Sequence, residues 1–365
     1  MTLIIDSHQD LAYNALTFNR DYRRSTAETR RLEAGSPTVQ ITQETTLGWP
    51  EYQRAQVAVI VATLFIMPQK YVGDHTWDTE AYATTQQADR LYRKQMDFYR
   101  RLSDENPDQF RLLTSRAALQ AHLAEWEAAP ASETVSHPVG LVMSLEGAEG
   151  LPHPRTLEEY AELGLHLLGP VWSGMRYCGG SYEPQGSFTA EGYELLDVMA
   201  ALNFTLDVAH MNAKSALQAV DRYPGTVICS HANARALLRE GTGERHLTDE
   251  TLRALLERGA VIGVMPFNGF LLPGWKPGDD RSLVTLDTLA AHIDHICQMA
   301  GNTQHVGIGS DFDGGFGFPA IPQELNTIAD LPLLGDNLRK RGYSESDIAA
   351  IFSGNWRRIL ERSLP

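Results

Sequence analysis

Short apolar runs alternate with longer amphipathic segments along most of the chain. The runs are continuous and rich in valine, isoleucine and leucine, a pattern that is typical of strands buried on both faces of a parallel sheet. Eight runs are predicted to be strands, and they lie at residues 3–5, 57–66, 139–146, 165–172, 204–210, 226–231, 260–265 and 305–311.

The segments between these runs carry apolar residues at helical spacing. They predict a long helix over residues 77–102 and shorter helices at 115–126, 156–163, 189–202, 212–222, 248–258 and 283–300. Ser115 and Thr189 are predicted N-caps, because a hydroxyl there accepts a hydrogen bond from a free N–H of the first turn. Strands that alternate with helices form a parallel sheet, and eight repeats predict an α/β fold, a closed (β/α)8 TIM-type barrel.

The domain organisation predicted from this pattern is simple. We find no convincing internal boundary, so residues 1–365 are expected to form a single barrel domain,. Residues 19–44 are polar and rich in arginine, with little apolar periodicity. We interpret them as a loop or lid within a lid-like insertion at about 19–50.

Composition and charge exclude several classes of partner and location. The net charge of −15 argues against nucleic acid, which requires a basic surface,. The three cysteines form no C-x-x-C pair, which favours a reducing compartment,. The first strand begins so early that no room is left for a signal peptide, and no apolar run approaches the ~18 residues of a membrane span. We therefore expect a cytoplasmic protein without a membrane partner.

Polar side chains follow several of the predicted strands, at the rim where barrel active sites lie. His8 and Asp10 are two residues apart at the end of the first strand, so on an extended backbone both point to the same side,. Six residues of metal-ligand or acid–base type lie at five strand ends, namely His8, Asp10, Glu146, His210, His231 and Asp311.

This set of residues suits two divalent metal ions of the zinc type. The first ion is assigned to His8, Asp10 and Glu146. The second is assigned to Glu146, His210 and His231, so that the glutamate bridges the pair. A water between the ions would lose its proton near neutral pH and become the nucleophile, and Asp311 would accept and return that proton as general base and acid.

The motifs around these residues resemble the membrane (renal) dipeptidase family, peptidase M19, of the amidohydrolase superfamily. The resemblance is carried by Asp6-x-His8-x-Asp10, Ser144-x-Glu146-Gly147, Asp207-x-Ala209-His210, Ser230-His231 and the Gly309–Gly314 segment GSDFDG, and it extends from residue 4 to residues 354–358. It implies a (β/α)8 barrel with a binuclear zinc site, hydrolysis of dipeptides that often tolerates a C-terminal D-residue, and a homodimer.

The resemblance also assigns residues to the substrate. It implies that Arg245, fourteen residues after His231, binds the substrate carboxylate, for which a guanidinium has the matching bidentate geometry,. Two positions depart from the family. Trp172 stands where the family usually has a histidine at the end of strand four, and Phe267, followed by Asn268, stands where strand seven usually brings a tyrosine. We count Trp172, Phe267 and Asn268 as substrate-binding residues of an altered, more apolar pocket.

The sequence thus predicts a binuclear metal dipeptidase whose substrate is a small peptide-like amide with a free carboxylate. Two alternatives stay open. The altered pocket is compatible with another amide, such as an N-acyl amino acid or a lactam. A non-catalytic barrel that kept the fold is the other alternative, although the presence of Asp311 argues against it.

Overall fold

Eight parallel strands form a nearly closed barrel at the centre of the protein, and the computed structural model describes residues 2–72, 78–238 and 243–365. The strands are β1 Ile4–Gln9, β2 Val57–Leu64, β3 Val139–Glu146, β4 Leu167–Gly169, β5 Thr205–Asp207, β6 Val227–Ile228, β7 Ile262–Val264 and β8 Val306–Ile308. Neighbours along the sheet follow the order β7-β8-β1-β2-β3-β4-β5-β6. A parallel bridge between Cys229 and Ile262 joins its two ends. The predicted (β/α)8 barrel is confirmed.

Helices surround the barrel. They are α1 Leu11–Phe18, α2 Thr26–Glu33, α3 Pro37–Thr42, α4 Trp49–Ala55, α5 Gln69–Val72, α6 Thr85–Glu105, α7 Arg116–Ala128, α8 Leu157–Glu162, α9 Ala190–Ala201, α10 Ala213–Arg222, α11 Asp249–Glu257, α12 Asn268–Leu271, α13 Leu286–Ala300, α14 Leu333–Lys340, α15 Glu345–Ala349 and α16 Asn355–Ser363. A π-helical turn, Ala350–Gly354, connects α15 to α16. In the described ranges, no helix combines the length and the apolar character needed to cross a lipid bilayer.

The predicted N-caps are confirmed. The Ser115 side chain accepts from the N–H of Ala118, and the Thr189 side chain accepts from the N–H of Gly192. Each bond satisfies one of the N–H groups that the first turn of a helix leaves free. Both helices therefore begin where the sequence places them.

Other predicted boundaries were wrong. The long helix begins at Thr85 and not at residue 77, because Thr84 and Gln87 form a capping box that defines its start,; Trp77 itself lies outside the described residues. The later strands are shorter than predicted. Residues 19–44 are not an open loop, because they contain α2 and α3. An unpredicted short strand, Phe110–Leu112, pairs with the first half of β3.

The strands are buried along their length, which explains their continuous apolar sequence. All eight residues of β2 are buried, and β2 pairs with β3 from Val59–Gly140 to Leu64–Leu145. Buried on both faces, such a strand gains hydrophobic stabilisation from every side chain. This rigid central pair sets the height at which β3 ends and at which Glu146 projects into the barrel mouth.

Candidate metal centre

Strand β1 provides the first two polar side chains of the centre. His8 lies in the strand, and Asp10 follows its last residue. The Nε2 atom of His8 is 3.8 Å from Asp10 Oδ1 and 3.5 Å from Glu146 Oε1. Glu146 is the last residue of β3. The ends of β1 and β3, which flank β2, therefore place an imidazole and two carboxylates around one point.

Two further histidines approach the same glutamate oxygen from the ends of β5 and β6. His210 Nε2 is 2.8 Å from Glu146 Oε1, and His231 Nε2 is 3.5 Å from that atom. The two Nε2 atoms are 3.0 Å apart. With His8, three imidazole nitrogens lie within 3.5 Å of one carboxylate oxygen. Glu146 is thus in contact with histidines of both predicted ligand groups, as a carboxylate that bridges two ions would be,.

Asp311 follows β8 and completes the cluster. Its Oδ1 lies 3.8 Å from His8 Nε2, and its N–H donates to the His8 carbonyl. Its φ of 52° and the φ of 64° at His210 lie in the left-handed region, so neither residue continues its strand,. Potential ligand atoms of His8, His231 and Asp311 lie within 4.8 Å of one another. Asp311 is thus also within reach of a metal, a role that the sequence analysis did not assign.

The cluster fits divalent metal ions. His8 Nε2 and Asp10 Oδ1 are buried without a hydrogen-bond partner among the described residues, whereas buried polar atoms are normally paired,. In a tetrahedral site with ligand bonds of about 2.1 Å, neighbouring ligand atoms lie about 3.4 Å apart. The distances in the cluster, from 2.8 to 3.8 Å, bracket that value. Imidazole together with carboxylate is also a donor set that suits zinc and similar ions.

The electrostatics of the cluster show the same need for positive charge. Burial lowers the pKa of His8, but the carboxylates around it outweigh burial and raise its pKa to about 10. Burial raises the pKa of Asp10 to about 7, and it raises the pKa of Asp311 well above its usual value. Three carboxylates thus share one buried space, and the positive charges near them are a proton on His8 and the Arg245 guanidinium. A divalent cation would stabilise all three in the ionised form.

His210 and His231 behave differently from His8. Burial lowers the pKa of His210 to about 4, and the neighbouring Arg245 guanidinium adds to this effect. Burial also lowers the pKa of His231 well below its usual value. Both imidazoles are therefore neutral near pH 7, the form in which histidine binds a metal ion.

A buried carboxylate beneath the centre holds β1 and β8 together. Asp6 Oδ1 accepts from the backbone N–H of Ser310 at 2.8 Å, and Asp6 Oδ2 accepts from the Ser310 hydroxyl and from Gln9 Nε2. These bonds join the residue before Asp311 to the strand that carries His8. Such supporting contacts fix the orientation of metal ligands.

A second carboxylate, that of Asp207, holds the ends of β5 and β6 together. Asp207 Oδ1 accepts from the N–H groups of Ser230 and Ala209, which precede His231 and His210. The Ser230 hydroxyl lies 2.8 Å from His231 Nδ1. That contact occupies one ring nitrogen and leaves Nε2 of His231 directed at the cluster.

An open cavity of about 320 Å³ lies above the cluster. Asp10, Glu146, His210, Arg245 and Asp311 form its charged and polar floor. The rest of its lining is mainly aromatic and apolar, and it comprises Tyr13, Phe18, Ile41, Thr42, Phe65, Met67, Trp172, Tyr182, Met265, Phe267, Phe270, Gly314, Gly315 and Phe316.

Arg245 lines the cavity beside the histidines of the centre. Its Nη1 donates to the His231 carbonyl at 3.1 Å, and its Nη2 lies 3.4 Å from His210 Nε2. The guanidinium also stands over the Phe270 ring at 5.6 Å. No carboxylate pairs with it within salt-bridge distance among the described residues, so its charge is directed to the cavity.

The structure places Trp172 in the cavity wall beside the metal centre. Its ring lies 6.0 Å from that of His210 and 5.1 Å from that of Phe65, and Tyr71 and Tyr182 flank it. The tryptophan therefore belongs to an aromatic cluster. The expectation of a more apolar pocket agrees with this environment.

Phe267 also lines the cavity, but its neighbour Asn268 does not. Asn268 is fully buried, and its Nδ2 donates to the carbonyl of Ile321 at 3.0 Å. The substrate-binding role predicted for Asn268 therefore has to be corrected. Phe267 is the N-cap of α12 and Asn268 is the first residue of that helix, and only Phe267 lines the cavity.

Sequence reasoning missed Asp313, a buried carboxylate two residues after Asp311. Its oxygens accept from the hydroxyls of Tyr22, Thr45 and Thr46 and from the N–H of Thr46. Arg20 Nη1 lies 3.1 Å from Asp313 Oδ2 in an ion pair. All these partners lie between residues 20 and 46. The only available signal was the repeated Asp-x-Asp spacing of the GSDFDG segment.

Comparison with known proteins agrees with this geometry. A family model described as membrane dipeptidase (peptidase family M19) matches residues 1–363. An uncharacterised protein in the pqqA 5' region of Klebsiella pneumoniae is 32% identical over 232 residues, which cover 61% of this chain and 82% of that protein. Dipeptidase 3 of Rattus norvegicus is 24% identical over 302 residues, which cover 80% of this chain and 56% of that protein.

A solved structure shares the fold over the full length. A metallo peptidase from Rhodobacter sphaeroides, solved with a phosphinate mimic of the dipeptide L-Ala-D-Ala, superimposes with a TM-score of 0.75. It is 22% identical in sequence, and the match covers 100% of both chains. This chain spans only about half the length of some curated relatives, such as an uncharacterised dipeptidase of Schizosaccharomyces pombe, of which it covers 52%.

Proposed function

The chain belongs to peptidase family M19, the membrane dipeptidase family, and from this premise we propose that it is a metal-dependent dipeptidase. The observation that carries the proposal is the position of Glu146, whose Oε1 lies within 3.5 Å of imidazole nitrogens from three strands. One carboxylate at that point serves two ligand groups. The cavity above it has the size and the single cationic group that suit a small peptide with a free carboxylate.

The two ligand groups would hold two divalent ions, which we propose to be zinc. His8, Asp10 and Glu146 would hold one ion, and Glu146, His210 and His231 would hold the other. Bound there, the ions would polarise the scissile carbonyl and lower the pKa of water to near 7. The neutral imidazoles of His210 and His231 are ready to bind without first losing a proton.

The chain's own residues would position the substrate and transfer protons. Arg245 would bind the C-terminal carboxylate, because its guanidinium faces the cavity without a carboxylate partner,. Asp311 would accept a proton from the attacking water and then donate it to the leaving nitrogen. Asp311 lines the cavity and its Oδ1 lies 3.8 Å from His8 Nε2, so its carboxylate is beside the ligand groups and within reach of a water held there,.

The test is hydrolysis of dipeptides by the purified, metal-loaded protein. We expect turnover that is lost with a chelator, restored by zinc, and lost in Glu146→Gln and His210→Ala. The matched control is His153→Ala, because His153 is exposed and does not line the cavity. Turnover that survives both chelation and the Glu146→Gln substitution would refute the mechanism.

The aromatic cluster around Trp172 favours a second candidate substrate. An acyl group in place of the N-terminal residue would pack against Trp172, Phe65 and Tyr182 without an ammonium to desolvate,. An N-benzoyl amino acid should therefore be assayed beside the dipeptides. A higher kcat/KM for it than for any dipeptide would make N-acyl amino acids the preferred class.

A further inference from the structure

Three phenylalanines form a continuous aromatic surface on one side of the cavity. The ring of Phe267 stacks on that of Phe316 at 4.4 Å and meets the edge of Phe270 at 4.9 Å. All three line the cavity. We call this surface the phenylalanine wall. Each ring supports the next, so the wall is a preformed apolar surface.

The phenylalanine wall lies between the two groups that would bind the leaving residue. At one end, the Phe270 ring lies beneath the Arg245 guanidinium at 5.6 Å. At the other end, Phe316 belongs to the loop that follows Asp311, and Gly314 and Gly315 of that loop also line the cavity. The wall therefore extends from the arginine to the loop that follows Asp311.

From this placement we infer that the phenylalanine wall is the subsite for the side chain of the C-terminal residue, and that large apolar or aromatic residues are preferred there. The inference rests on the proposed function. The C-terminal residue carries both the nitrogen that Asp311 protonates and the carboxylate that Arg245 binds. It must span the gap between those groups, and its side chain then lies against the wall.

The chemistry of the wall sets the direction of the selectivity. Among the described lining residues, the charged side chains other than Arg245 all belong to the metal cluster. A charged side chain at the wall would lose hydration without gaining a partner. An apolar side chain gains affinity there, and each methylene in such a pocket is worth roughly tenfold or more in kcat/KM.

The experiment is a series of dipeptides with a constant N-terminal alanine. Ala-Ala, Ala-Leu, Ala-Phe, Ala-Asp and Ala-Lys, each with an L- and a D-residue at the C-terminus, are assayed with the zinc-loaded protein. We expect Ala-Leu and Ala-Phe to exceed Ala-Ala in kcat/KM by at least about tenfold, and Ala-Asp and Ala-Lys to fall below it. A flat or reversed order would overturn the inference while leaving the dipeptidase function intact. If no dipeptide were hydrolysed, the proposed function would fail and the inference with it.

Variants locate the preference at the wall. Phe267→Ala should reduce the ratio of kcat/KM for Ala-Phe over Ala-Ala at least about fivefold, because the central ring of the wall is lost. Phe65→Ala, which removes a ring from the other aromatic cluster, should leave that ratio unchanged. Phe267→Tyr preserves the ring and adds a hydroxyl, so it should lower the ratio less. An unchanged ratio in a folded Phe267→Ala protein, or an equal loss in Phe65→Ala, would place the subsite elsewhere.

Discussion

Replacing Asp313 with asparagine should reduce the free energy of unfolding by more than the loss of any single hydrogen bond of Asp313 would. The Asp313 carboxylate is 1% exposed and accepts four hydrogen bonds from Tyr22, Thr45 and Thr46. It also forms an ion pair with Arg20, whose side chain is fully buried. Asparagine has the same shape, but it removes the charge and turns one acceptor into a donor. The new amide would face either the Arg20 guanidinium or the N–H of Thr46.

The loss of stability in Asp313→Asn depends on the hydrogen-bond and ion-pair partners that Arg20 keeps. Removing one partner of a buried ion pair typically costs about 3–5 kcal/mol, because the other charge is left without compensation. Arg20 keeps a second carboxylate, since its Nε lies 2.9 Å from Glu33 Oε1, and its Nη2 donates to the Gln43 carbonyl. We therefore expect a loss of stability at the lower end of that range, about 3 kcal/mol.

Urea unfolding, followed by fluorescence at equal zinc loading, measures this loss. The Asp313→Asn midpoint should fall without a change in slope. The matched control is Asp197→Asn, which breaks an exposed pair with Arg222 and should leave the midpoint unchanged,. We also expect kcat/KM to fall about tenfold or more, because the turn that carries Asp311 would shift. A loss below about 1 kcal/mol, or a loss equal to that of the control, would refute the central role of Asp313.

Three further predictions concern the centre and the core. Purified protein should contain two divalent ions per chain by mass spectrometry, and chelation should lower its melting temperature, which zinc restores; an unchanged melting temperature would argue against bound metal. Gly314→Ala should reduce kcat about a hundredfold, because its Cβ would lie 2.0 Å from Asp311 Oδ1 and 2.8 Å from the Asp311 carbonyl oxygen and would displace both; normal kinetics of the folded variant would show that Asp311 tolerates displacement,. Burial lowers the pKa of His292 from 6.5 to about 4, so between those pH values this imidazole is protonated only in the unfolded chain, and acidification reduces the free energy of unfolding by up to roughly 3 kcal/mol,. His292→Gln should flatten the pH dependence of the urea midpoint in that window, and an identical profile would contradict this.

The barrel and its cluster were predictable because both depend on local patterns. An apolar run that ends in a polar residue specifies a buried strand and the residue at its rim, and parallel topology brings the rims together. His8, Glu146 and His231 could therefore be assigned to one point, although they are far apart in sequence. The same logic does not extend to side-chain direction after a strand. Phe267 and Asn268 were assigned together, yet only the first faces the cavity.

The walls of the cavity were not predictable in the same way. Asp313 contacts partners that lie 267 to 293 residues earlier in the chain, in a segment with little apolar periodicity. The signals for helices α2 and α3 are their first residues and not an apolar stripe, because the Ser25 side chain caps α2 and Pro37 begins α3,. Polar tertiary contacts of this kind leave little trace in a hydrophobic pattern.

These contacts bear on whether residues 19–50 act as a lid. The Glu44 and Phe318 backbones bond to each other in both directions, and the Arg30 guanidinium stacks on the Phe318 ring and bonds to Asn326. Opening the segment would break these bonds together with the buried Arg20–Asp313 pair. Taken together, those losses are as large as the few kcal/mol that separate open and closed states of a mobile loop.

We therefore interpret residues 19–50 as a fixed part of the cavity lining and not as a lid. The same contacts link residues 19–50 to the turn that carries Asp311, because Asp313 binds that segment while Asp311, two residues earlier, faces His8. Ile41 and Thr42 of the segment line the cavity. The shape of the cavity and the position of Asp311, the carboxylate that we propose transfers protons, thus depend on one buried network. A substitution that loosens residues 19–50 should therefore lower kcat as well as raise KM,.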